Sequence, residues 1–207
     1  MNEFGLTKQE IAILKRLNSP KKIQDFLNNL KINFEPEGDT CISPRRVLRE
    51  NRAHCIEGAL LAAVALKLAG RKPLVVDLTA ASCDFDHVIA VFKENGKWGA
   101  ISKTNHAVLR YREPIYNSVR ELVMSFFHEY FDDSGKKNLR SYSPPVDLIK
   151  KFGWEWITKE DNVWEIPEYL ASCKHYNILN KKQIKNLRSA DKIEIEAGKL
   201  VDFKNSG

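Results

Sequence analysis

The stretch CIEGALLAAVALKLAG, from Cys55 to Gly70, constrains this chain more than any other. Alanine stands at 59, 62, 63, 65 and 69, and alanine is the best helix former. Gly70 closes the run where a glycine can adopt the left-handed turn that ends helices. Apolar side chains point in nearly every direction around this helix, which therefore belongs at the centre of a core rather than on a surface. Small side chains on several faces let it approach neighbouring backbone closely, as packing on a sheet requires. The run is too short, and too interrupted by Glu57 and Lys67, to span a bilayer.

Shorter elements surround this helix. Upstream, LTKQEIAILKRLN and SPKKIQDFLNNLK predict two amphipathic helices, capped by Thr7 and by Ser19 with Pro20 in the first turn. SPRRVLREN repeats the Ser-Pro start and predicts a third, which delivers the chain to Cys55. Downstream, PLVVDLTA, DHVIAVFKE and GKWGAISK are short and rich in Val, Ile and Phe, and ENG at 94–96 is a hairpin turn. They predict an antiparallel sheet of at least three strands. PIYNSVRELVMSFFHEYF carries an apolar helical stripe from Val119 to Tyr130.

Beyond residue 135 the pattern weakens. SPPVDLIKKFG suggests a helix begun by Pro144 and Pro145, Pro167 interrupts NVWEIPEYLASC, and KIEIEAGKLVDF suggests a hairpin turning at Ala197 and Gly198. The expected organisation is α+β: a lead-in and core over residues 1–135, with 136–207 as an appendage packed on that core, or one domain throughout. A length of 207 residues suits either.

The net charge of +6 and the pI near 9.1 favour anionic partners weakly, because the basic residues are dispersed among 27 acids. NKKQIKNLR at 180–188 reads as a solvated helix face, and no aromatic residues interleave with it, so nucleic acid is the weaker expectation. The stretch MNEFGLTKQEIAILKRLN carries charges throughout and lacks the apolar run and cleavage site of an export signal, so a cytoplasmic, membrane-free protein is expected. Cys41, Cys55, Cys83 and Cys173 form no C-x-x-C pair; reduced thiols follow, and neither a metal nor a cofactor is expected. His106 and His128 lack the spacing of metal ligands, and Cys41, Cys83 and Cys173 lack a nearby base, so all five read as packing residues.

Cys55 differs from the other thiols. The exposed N–H groups and dipole of a helix start favour a thiolate, and His87 opens the strand DHVIAVF, which packs beside that helix. A cysteine at a helix start, one returning strand, a histidine at the next strand and a hairpin to a strand containing Trp98 form an ordered set.

Residues 43–105, through SPRRVLRENRAHC, DHVIAVF and GKWGAIS, resemble the transglutaminase-like superfamily of cysteine enzymes. The resemblance implies a papain-like core, with Cys55 as nucleophile and His87 as base acting on a peptide or carboxamide carbonyl through a thioester. Hydrolysis of a peptide or protein substrate is the default outcome; a non-catalytic binding module with the same fold is the alternative. In the family a Trp is followed four positions later by an Asp that orients the histidine, whereas here that position is Ser102. Ser102 or Asn105 is left as the orienting group. Asp84 and Asp86 read as loop-solvating residues. Cys55 N–H is expected in an oxyanion site, with His54 or Asn51 as candidate second donor, and Trp98 either lines the acyl-donor groove or packs on the sheet.

Overall fold

The computed structural model describes residues 3–81 and 84–201; Cys83 lies outside them. The fold is α+β, with an antiparallel sheet and helices on both of its faces.

The helical lead-in comprises α1 (Lys8–Arg16), α2 (Pro20–Asn29) and α3 (Pro44–Glu50). Each begins where the sequence implies. Thr7, Ser19 and Ser43 accept first-turn N–H groups with their side chains, and Pro20 and Pro44 occupy positions whose own N–H would have no helical partner. Between them β1 (Lys31–Ile32) pairs in parallel with β2 (Arg52–Ala53), and this small clip aims the chain into α4 (Cys55–Leu68). Every residue of α4 from Ile56 to Leu66 is buried. Its closed end is Gly70 at φ +77°.

Strands β3 (Leu74–Ala80), β4 (His87–Glu94) and β5 (Lys97–Ile101) form the expected antiparallel core. Asn95 and Gly96 both take positive φ, the geometry a two-residue hairpin of natural twist needs. Side-chain alternation divides the sheet: Val75, Val88, Ala90, Phe92 and Ile101 pack with α1–α4, while Val76, Leu78, Ile89, Val91 and Ala100 face the opposite core.

Four local expectations are corrected. The helix expected from Pro114 is preceded by a strand: β6 (Arg112–Tyr116) extends the sheet edge, where a proline is tolerated, and α5 (Val119–Met124) starts only after the Ser118 cap. Pro144 and Pro145 do not open a helix. The chain first makes β7 (Leu139–Tyr142) and β8 (Val146–Asp147), and Asp147 then caps α6 (Leu148–Phe152). Pro167 lies in the first turn of α7 (Glu165–Ser172), where its missing N–H breaks nothing.

After β9 (Tyr176–Asn177) and α8 (Lys181–Lys185), the supposed terminal hairpin is α9 (Lys192–Gly198). Ile193 and Ile195 alternate like a strand, but the Asp191–Glu194 capping box sets the backbone.

Three strands beyond residue 135 enter the main sheet. β7 and β8 both pair with β3, and β9 pairs with β7, giving the order β6-β5-β4-β3-β7-β9. Among the described residues no helix is long and apolar enough to cross a membrane.

Candidate functional site

Cys55 is the first residue of α4, so its backbone N–H is among those a helix leaves without an intrahelical partner. It lines a cavity of about 900 Å³ together with His54, His87 and Asn105. The imidazoles of His54 and His87 share that cavity with its sulfur, and both favour the thiolate. Burial pushes the thiol up, but His54 and then His87 outweigh that and bring it down to about 5. The contrast with Cys41 is large. Burial, then the charges of Glu57 and Cys55, drive that thiol far above its ordinary range.

The geometry fixes the tautomer of His87. Its Nε2 lies 2.8 Å from Ser102 Oγ, and Ser102 Oγ lies 2.6 Å from the Leu109 carbonyl. A carbonyl can only accept, so the single hydroxyl proton goes to Leu109 and Ser102 must accept from Nε2–H. The ring nitrogen left for the sulfur is Nδ1. Of the two orienting groups the sequence left open, Ser102 is the one His87 meets; Asn105 lies on the cavity wall.

Ser102 is itself held at three points. Gln24 of α2 pairs with both backbone groups, its Oε1 accepting Ser102 N–H at 2.9 Å and its Nε2 donating to Ser102 C=O at 2.8 Å. Leu109, which receives the hydroxyl, has φ +59°, a conformation costly for a branched side chain. Glu129 holds it there, accepting Leu109 N–H at 2.9 Å while paired with Arg112. The sequence marks neither Gln24 nor Glu129, because both act across folded distance on backbone atoms.

His54 is the N-cap residue of α4, and its N–H, a candidate oxyanion donor, is already given to Glu57 at 2.9 Å. Its Nε2 lies 3.0 Å from the Thr40 carbonyl and 3.3 Å from carboxylate oxygens of both Glu35 and Glu57. Burial opposes its charge, yet hydrogen bonds to Cys55 and Glu57 hold it protonated up to about 11. Glu57, fully buried, accepts from Asn33, Thr40, Ile42 N–H and His54 N–H. Burial raises its carboxyl, but His54 first and then those backbone donors take it down to about 2.

Of the two alternatives for Trp98 the sheet-packing one is found, and Asn51 is not at the cavity. Trp98 packs in the core on the face away from α4, with Lys93 Nζ 4.7 Å from its ring centroid, and does not line the cavity. Asn51 ends α3 at φ +53° and likewise stands outside it.

Asp84 and Asp86 do more than solvate their loop. Asp86 accepts Ala80 N–H, Asp84 accepts from Asn138, and both line the cavity with Asp132 and Asp133. Among the described residues, no cluster of three or more His, Cys, Asp or Glu side chains could hold a metal ion. Compared with known proteins, the chain matches no family model and no curated protein.

Proposed function

We propose that the protein is a thiol-dependent amide-bond enzyme of the transglutaminase-like type, with Cys55 as nucleophile and His87 as its proton carrier. One observation carries this: His87, which shares a cavity with the sulfur at the start of α4, has its Nε2–H committed to Ser102, leaving Nδ1 to exchange protons with the thiol.

In the forward reaction the Cys55 thiolate attacks a carboxamide or peptide carbonyl. The negative oxygen that develops faces the Cys55 N–H. His87 Nδ1–H gives its proton to the departing amine and a thioester remains. His87 Nδ1, now bare, takes a proton from water; the hydroxide attacks the thioester, the acid leaves and the thiolate returns. Asp is the family's charged partner for the imidazolium, and neutral Ser102 supports the competing reading of a binding module that does not turn over.

p-Nitrophenyl acetate distinguishes the two readings. The enzyme reading expects a burst of p-nitrophenolate stoichiometric with protein and an acetyl group on the Cys55 peptide by mass spectrometry. No burst, with Cys41, Cys55 and Cys173 alkylated at equal rates by iodoacetamide, would leave the binding module.

A further inference from the structure

The cavity contains a second imidazole that the reaction above does not use. His54 Nε2 is surrounded by three oxygens, the Thr40 carbonyl at 3.0 Å and one carboxylate oxygen each of Glu35 and Glu57 at 3.3 Å. Thr40 C=O can only accept, so Nε2 carries hydrogen, and the nitrogen left to face the Cys55 sulfur is Nδ1. Both histidines have Nε2 committed elsewhere, which leaves Nδ1 for the sulfur, but they differ behind it. His87 rests on a neutral hydroxyl, His54 on two carboxylates.

That difference divides the labour. Behind His87 stands only the neutral Ser102 hydroxyl, so no carboxylate ties its Nδ1 proton in place and that proton can leave for an amine. A proton on His54 would have to leave a pair of anions, one of them fully buried with every neighbour donating to it.

We propose that His54 is a second catalytic imidazole, clamped as a permanent cation by Glu57 and Glu35, which holds the Cys55 sulfur as thiolate while His87 alone moves protons. The inference rests on the Cys55 reading above. The charged and titratable groups around His54 are Cys55 and Glu57 on its own helix, Glu35 and Cys41 on the segment before α3, and His87 of β4 across the sulfur. Arg52 turns to Glu50 and Asn33 instead. Cys41 stays protonated, and its raised thiol agrees with the negative charge on that side.

The test is the pH dependence of Cys55 alkylation by iodoacetamide, read with thiolate absorbance at 240 nm, in the full chain. Wild type is expected to show a midpoint near 5. His87→Ala should lose the p-nitrophenolate burst yet keep a thiolate at neutral pH. His54→Asn, with His87 intact, should move the midpoint up by more than one pH unit towards the ordinary thiol value of about 8.5. Glu35→Gln, at a half-exposed site, should move it the same way by less.

In wild-type protein, 15N spectra should show both His54 ring nitrogens protonated at pH 8, a readout that needs no variant to fold. A neutral His54, or a His54→Asn profile superimposed on wild type, overturns the inference. An ordinary midpoint in wild type instead overturns the nucleophile reading, so the two failures are separable.

Discussion

Ser102 accepts from His87 Nε2 at 2.8 Å because its own proton is committed to Leu109 C=O at 2.6 Å. A hydroxyl with both roles assigned selects one histidine tautomer without any charge. Ser102→Ala removes that selection. The expected result is a loss of acyl transfer of about tenfold or more, with 15N spectra of His87 showing mixed tautomers where wild type shows Nε2–H. Ser102→Asp restores orientation and adds charge, so it should recover more activity than alanine does. Glu129→Gln, acting through the Leu109 backbone, should move the same His87 signals by less.

Stability should fall steeply in acid. The Glu57 carboxyl is lowered from 4.5 to about 2 in the folded state. A depressed carboxyl contributes stability above its unfolded value and loses it as pH falls through the folded one. The contribution is therefore complete above pH 4.5 and lost towards pH 2, on the order of 3 kcal/mol. Urea denaturation at pH 6, 4 and 3 checks this, and Glu57→Gln should flatten the acid limb. An equal slope in the variant would mean other carboxylates dominate.

Gly58 is required by packing rather than by conformation. A Cβ there would stand 2.5 Å from Lys103 Cβ, and the Lys103 side chain is tied at its far end to the Leu27 and Leu30 carbonyls that close α2. Neither side can retreat easily. Gly58→Ala should cost about 1–3 kcal/mol, measured as a lower Tm, despite alanine being the better helix former.

The cavity should prefer cationic peptides. Asp84, Asp86, Asp132 and Asp133 line it without a Lys or Arg ion pair among the described residues, while the chain as a whole is basic. Peptides with Lys or Arg beside a carboxamide should protect Cys55 from alkylation better than acidic ones, and the advantage should shrink towards 1 M salt. Asp84→Asn combined with Asp86→Asn should weaken protection about fivefold, from roughly 1 kcal/mol of exposed Coulomb attraction. Equal protection by acidic peptides would show that the carboxylates do not face the ligand.

The sequence by itself determined the elements whose causes are local. Thr7, Ser19 and Ser43 start helices because their side chains reach N–H groups three residues on. Gly96 turns a hairpin because it tolerates positive φ, and an all-apolar α4 has nowhere to lie but the centre. The succession of Cys55 at a helix start and His87 at a strand start was legible for the same reason, while Ser102 and Asn105 both stayed open.

Tertiary structure decided the rest. β7 enters the sheet beside β3 from more than fifty residues away, through backbone pairing that side chains do not announce. Ser102 rather than Asn105 orients His87 because Gln24 and Leu109 hold it from two other segments. His54 meets two carboxylates only when folding brings Glu35 and Glu57 together around it. Electrostatics in a buried site depends on which groups converge, and convergence is a property of the fold.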